Sequence, residues 1–199
     1  MVDLTPFEER GLSLELKGAL VTDWVSGKIY CSLSGRANEE VFNYLITKLN
    51  IISMKQGSKQ RIRGVTFHSF DKDGAEIYHT DCMFTLLSKH AVVCLDAIRD
   101  EYEKQELIDE LTNPARNLGS PKKIINISFK ESSSMCANMF DVLDKNGNHC
   151  VIMSKRAQNA YTKENLTELN QNYKLVVSDV DIIEAIGGGS CRCMLVELF

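Results

Sequence analysis

One order of elements, a hairpin followed by a helix and then a strand, occurs three times along the chain, and this repetition restricts the fold more than any single motif. In the first copy, residues 19–22 and 28–33 are strand-like runs joined by a turn at Ser26 and Gly27. The spacing predicts a helix over 38–50, with Val41, Phe42, Leu45, Ile46 and Leu49 on one apolar face, and then a strand over 65–70. The second copy pairs 82–87 with 91–95 across Ser88 and Lys89, continues as a helix over 101–111 that ends at Asn113 and Pro114, and adds a strand at 124–128. In the third, 138–143 and 149–153 flank an Asn146-Gly147 turn, helical segments follow Ser154 and Thr162 as N-caps, and 174–177 is the strand. One more strand is expected at 192–198, inside a closing segment 190–199.

The copies lie about 60 residues apart, turn to turn, with no linker between them. We therefore expect a single domain over 1–199, with repeats at 14–70, 77–128 and 136–178. The fold class is α/β, built of repeated ββαβ units. Hairpins require antiparallel neighbours, which excludes helical bundles and argues against a doubly wound parallel sheet. A radial or partly closed assembly of ββαβ units remains.

Composition narrows the function classes. Lys plus Arg number 23 against 27 Asp plus Glu, a formal charge of -4, so no overall attraction to nucleic acid or anionic lipid is expected. The densest basic run, Lys55, Lys59, Arg61 and Arg63, has no interleaved aromatic on which a base could stack. No apolar run approaches the roughly 20 residues of a membrane span, and the first ten residues carry acids instead of a basic and apolar leader. A cytoplasmic protein is expected. Its seven cysteines are an odd number, and Cys31, Cys82, Cys94 and Cys150 stand among Val, Ile, Leu and Met, as buried free thiols do. Cys191 and Cys193 form a C-x-C pair without a second pair at metal-ligand spacing, so no metal site is assigned.

Three places in the chain could carry chemistry. Gly187-Gly188-Gly189-Ser190-Cys191-Arg192-Cys193 puts a thiol behind a glycine run that can approach a ligand closely and aim backbone N–H groups at a developing charge. The bland alternative is a tight connection with Cys193 as a small core residue. His79 and Asp81, two apart at the expected start of a strand, project to the same side of an extended chain, and an imidazole beside a carboxylate suits proton transfer near neutral pH. An isolated His-x-Asp is also a common surface pair. Glu15 stands at the start of the first repeat as His79 does at the second and Asn138 at the third. Corresponding strand ends of a radial assembly converge, which would gather Glu15, His79, Asn138 and the glycine loop in one pocket.

The order Glu15 with Gly18, then His79-Thr80-Asp81, then three glycines and Cys193 resembles the amidinotransferase and arginine deiminase superfamily. The runs 77–80, 91–95, 98–101, 138–139, 151–154 and 187–199 resemble its bacterial amidinotransferase-like group associated with citrulline use. The resemblance implies an α/β-propeller of the pentein type, of whose five units about three are visible here, the others lying N-terminal. It implies a cofactor-free hydrolase of C–N bonds in a guanidino or ureido group, as in arginine or citrulline. Cys193 would be the nucleophile, His79 the acid and base, and Glu15 its orienting partner. Asp81, Asn138, Gly188 and Gly189 would bind substrate. Open sheet edges call for a homodimer or a second chain. The alternative function is a non-catalytic relative serving as a binding or interaction module.

Overall fold

The computed structural model describes residues 2–117 and 121–195. They form two compact units, the described parts of Met1–Thr80 with Ile98–Ser120 and of Asp81–Ala97 with Pro121–Phe199.

The first unit opens with two helical turns, α1 (Thr5–Glu8) and α2 (Leu16–Ala19), followed by the strands β1 (Leu20–Asp23) and β2 (Lys28–Leu33). The hairpin turn is tied by the Asp23 carboxylate, whose Oδ1 accepts the N–H of Val25 at 3.1 Å and of Ser26 at 3.0 Å. Such a side-chain grip on turn amides favours a hairpin over a continued strand. Helix α3 (Glu39–Lys55) follows, its first turn capped by Asn38, and β3 (Arg63–His68) completes the sheet in the order β1-β2-β3. β1 runs antiparallel to β2, with Leu20 opposite Cys31, and β3 parallel, with Val65 opposite Tyr30. Val41, Phe42 and Leu45 of α3 are buried. Phe42, Leu45, Ile29, Cys31 and Leu33 belong to one core cluster.

The second sheet is β4 (Phe84–Leu86), β5 (His90–Val93) and, after α4 (Glu101–Thr112), β6 (Lys123–Asn126). It repeats the pattern, β4 antiparallel and β6 parallel to β5. Its helix belongs to the first unit, however, where α4 packs on β3 and buries Leu107 and Leu111. Lys28 Nζ reaches Glu110 Oε2 at 2.9 Å, and Ser26 Oγ bonds Asn117 Oδ1.

The third copy is preceded by α5 (Phe129–Ser133), which Ser128 and Glu131 open as a capping box. It comprises β7 (Phe140–Leu143), β8 (His149–Ser154), α6 (Lys155–Ala160), α7 (Lys163–Asn172) and β9 (Lys174–Ser178), with β8 central, antiparallel to β7 and parallel to β9. Ser154 and Thr162 cap α6 and α7 as the sequence predicts. Helix α8 (Asp181–Gly187) ends on Gly188 at φ +70°. The ββαβ order expected from the sequence is thus present in three sheets.

Two local expectations are corrected. His79 and Asp81 do not share an extended strand, because Thr80–Cys82 is a 3-10 turn. Thr80 draws the chain inward, its hydroxyl donating to the Ala19 carbonyl at 2.5 Å and accepting the Ser32 N–H at 2.7 Å. The strand expected at 192–198 begins instead with a 3-10 turn, Arg192–Met194, and residues 196–199 lie outside the described residues.

Candidate active site

In the first unit, Glu15 and His79 meet across 64 residues of sequence. Glu15 stands at the N-cap position of α2, and its Oε2 lies 2.5 Å from His79 Nε2. The intervening glycine explains how. A Cβ on Gly18 would stand 2.6 Å from both Cγ and Nδ1 of the His79 ring, so the imidazole lies directly on the glycine backbone. Arg36 approaches the same carboxylate at 3.6 Å and stacks 4.2 Å over the Tyr78 ring, which meets the His79 ring edge-on at 4.8 Å. The pair is partly open to solvent, the side chains 24% and 45% exposed for His79 and Glu15.

In the second unit, Cys193 is the exposed thiol, and the other six cysteines are buried or partly so. Asn138, itself buried, grips the loop that carries it. Asn138 Oδ1 accepts the N–H of Arg192 at 3.0 Å and of Cys193 at 3.3 Å, and Nδ2 donates to Cys193 Sγ at 3.1 Å. Asp81, buried, has Oδ2 at 3.9 Å from the same sulfur and Oδ1 at 3.9 Å from Cys82 Sγ. Gly189 supplies space, since a Cβ there would stand 2.9 Å from Cys193 Cβ and 3.1 Å from Sγ. Ser190, at the head of the loop, donates to Glu184 Oε1 at 2.5 Å.

Arg192 lies beside the sulfur's acidic neighbour: its Nε is 3.8 Å from Asp81 Oδ2, with the guanidinium over the Phe140 ring at 5.6 Å. The amides of Arg192 and Cys193 are not available to a developing charge, because the Asn138 oxygen accepts both. Gly188 and Gly189, expected to contact substrate, are here the cap of α8 and the bed of Cys193.

Burial holds five of the other thiols protonated. Desolvation pushes Cys31 up to about 12 and Cys94 up to about 11. Cys82 rises to about 12 from desolvation first and then the Asp81 charge. Desolvation also raises Cys191 and Cys136.

The other three histidines, His68, His90 and His149, also have carboxylate partners. His68 pairs with Glu103 at 2.8 Å, His90 with Glu168 at 2.9 Å, and His149 with Asp141 at 2.8 Å. A carboxylate partner alone therefore does not single out His79. Its bed on Gly18 and its place two residues from Asp81 do. Among the described residues, no group of three His, Cys, Asp or Glu side chains could hold a metal ion.

Over residues 1–199 the sequence matches the family described as N,N dimethylarginine dimethylhydrolase, eukaryotic. The chain belongs to that family. No curated protein matches it. Solved structures similar to this member of the dimethylarginine dimethylhydrolase family include apo ArgZ, an arginine dihydrolase from the ornithine-ammonia cycle in cyanobacteria, at 17% identity and a TM-score of 0.65. That match covers 96% of this chain and 27% of ArgZ. SxtG, an amidinotransferase from Microseira wollei in the saxitoxin biosynthetic pathway, is 14% identical with a TM-score of 0.57, over 88% of this chain and 42% of its own. A dimethylarginine dimethylaminohydrolase, in an adduct with S-methyl-L-thiocitrulline, is 19% identical with a TM-score of 0.50, over 89% of this chain and 53% of its own. The chain thus spans about a quarter of the length of the arginine dihydrolase. The fold is the pentein fold expected from the sequence, in about three ββαβ units. The family bears out the superfamily, and the narrower likeness to the bacterial citrulline-use group remains an expectation.

Proposed function

We propose that this protein is a cysteine-dependent hydrolase of the C–N bond in a guanidino or ureido group, with Cys193 as nucleophile. The observation that carries the reading is the exposed Cys193 thiol, flanked by the buried Asp81 carboxylate and the Asn138 amide, in a chain whose His79 is already hydrogen-bonded to Glu15. In the first half-reaction the Cys193 thiolate attacks the central guanidinium carbon. A C–S bond forms, the C–N bond breaks, and the departing amine takes a proton from His79. In the second, His79 takes a proton from water, the resulting hydroxide attacks the same carbon, and the thiolate leaves. The net change is guanidinium plus water to a ureido group plus an ammonium ion, the amine leaving with the proton that carries the guanidinium's charge.

Glu15 engages Nε2 of His79, which leaves Nδ1 as the atom that passes the proton. Asp81 accepts the N–H groups of the planar substrate head, so the Arg192 guanidinium beside it has to give way. The family's name makes an Nω,Nω-dimethylated arginine the first substrate to try, with L-arginine and L-citrulline beside it. Dimethylamine, ammonia and the ureido product are measured for the native chain and for Cys193→Ala. Turnover lost in Cys193→Ala supports the reading. Equal rates in the two proteins, or no turnover and no Tm rise with any of the three compounds, would return it to a binding or interaction module.

We also propose that the chain self-associates. The apolar side chains Ile182, Ile183 and Ile186 of α8 are exposed, and a second copy is the partner we assign to them.

A further inference from the structure

The resemblance gives Asn138 to the substrate, but its geometry points elsewhere. Asn138 is 1% exposed, and its three hydrogen bonds described here to the Cys193 loop consume the carbonyl oxygen and one amide hydrogen. The orientation of that amide is chemically determined. Backbone N–H groups only donate, so the atom that faces Arg192 N and Cys193 N has to be the oxygen, and the NH2 group therefore faces the sulfur. A side chain locked in this way cannot turn to follow a ligand.

We propose that Asn138 is the positioning residue of the nucleophile: its oxygen pins the loop, and its amide N–H is a built-in donor that stabilises Cys193 as a thiolate. The inference rests on Cys193 being the reactive thiol, and it adds which neighbour makes it so. The charged and titratable groups around the sulfur act in both directions. Asp81 Oδ2 at 3.9 Å favours the protonated thiol, and the Arg192 guanidinium, near that same carboxylate, favours the thiolate. Cys82 and Cys191, both raised by burial first, stay neutral and add no charge at neutral pH. The Asn138 donor is held in place by the two backbone amides that its oxygen accepts. It strengthens when the sulfur ionises, because a hydrogen bond to a charged acceptor is roughly twice as strong as one between neutral groups.

Two measurements on the full chain test this without substrate, so they stand apart from the hydrolase reading. In 15N-labelled protein, the side-chain amide of Asn138, assigned by its loss in Asn138→Asp, should shift in step with the 240 nm absorbance of the Cys193 thiolate. It should stop doing so in Cys193→Ser. In Asn138→Ala the midpoint of the iodoacetamide alkylation profile of Cys193 should move up by about one to two pH units, as expected for losing one hydrogen bond to a charged sulfur. An Asn138 amide that ignores the thiolate titration overturns the inference, and so does an alkylation midpoint unchanged in Asn138→Ala. The NMR titration uses the native fold, so it decides the matter even where the Ala variant is too unstable to assay. If Asn138 tracks the thiol while no compound is turned over, the inference stands and the hydrolase reading fails alone.

Discussion

At the scale of single residues, Gly18 sets two physical rules against each other. It lies in the helical turn α2, where Ala would be favoured by about 1 kcal/mol on intrinsic propensity. Its Cβ, however, would fall 2.6 Å from the His79 ring, and overpacking of this kind costs about 1–3 kcal/mol when the neighbour cannot yield. His79 can yield only by leaving Glu15. Gly18→Ala is thus expected to change stability little, since the two effects oppose, and to lower kcat/KM by about 10²-fold, the usual effect of a catalytic group displaced by about 1 Å. Urea melts and kinetics on the same preparation check both halves, and full activity in Gly18→Ala would show that the imidazole does not need its bed. The thiols yield a second expectation. With Cys31 and Cys82 at about 12, only about one in 10⁵ of either is ionised at pH 7. Substoichiometric iodoacetamide at pH 7.5 should label Cys193 first, as read by peptide mass mapping, and a label found first on Cys82 or Cys94 contradicts the assignment. The contacts of Glu15 with His79 and of Asp81 with Cys193 join residues that the sequence had marked as candidates. Glu15, Gly18, His79, Asp81 and Cys193 stood out by residue type and order. The turn of Arg192 toward Asp81 and the grip of Asn138 on two amides were not legible in the sequence, because they depend on side-chain directions that spacing does not encode.

At the scale of elements, turn chemistry and caps were the strongest signals. Ser26-Gly27, Asn146-Gly147, Ser154 and Thr162 marked their hairpins and helix starts correctly. The short helices escaped notice, α5 despite the Ser128-x-x-Glu131 capping box and α8 because its three isoleucines face outward instead of forming a core stripe. The expected strand at Cys193 failed for a similar reason. The segment's apolar residues suggested a strand, but α8 runs to Gly187 and Asn138 captures the amides of Arg192 and Cys193, which holds Arg192–Met194 in a turn. Helix α4 depends on a polar contact for its place. Glu110, with no exposed surface, pairs with the buried Lys28 at 2.9 Å and with Arg63 and Arg116 at 2.8 and 3.2 Å. Removing one partner of such a pair leaves an uncompensated buried charge, so Glu110→Ala should lose about 3–5 kcal/mol in urea unfolding. Pairing Lys28→Met with Glu110→Leu should restore most of it. A loss under about 1 kcal/mol for Glu110→Ala would mean that the pair behaves as an exposed one does.

At the scale of the whole molecule, the threefold repeat was visible in the sequence, but the grouping of its parts was not. The helix of the second repeat belongs to the first compact unit, joined there by the Lys28–Glu110 pair, whose partners stand 82 residues apart. A period in sequence shows which elements recur, and long-range packing such as that of α4 on β3 decides which of them cohere. The surface of the second unit raises the question of assembly. On α8, Ile182 is 76% and Ile186 84% exposed, and Val176 and Val177 of β9 are also open. Ile182 and Ile186, four apart on α8, share one helix face, and contiguous exposed apolar surface is what association sites present. Burying two isoleucines on each of two copies would contribute several kcal/mol by area, at about 25 cal/mol per Å², before the entropic cost of association. Sedimentation equilibrium at tens of micromolar is therefore expected to give twice the chain's 22.4 kDa mass. In the double variant Ile182→Asp, Ile186→Asp the mass should return to that of one chain while far-UV circular dichroism is unchanged, because both side chains lie outside the core. A native chain that sediments as a monomer, or a double variant that remains dimeric, would leave this face without the partner assigned to it.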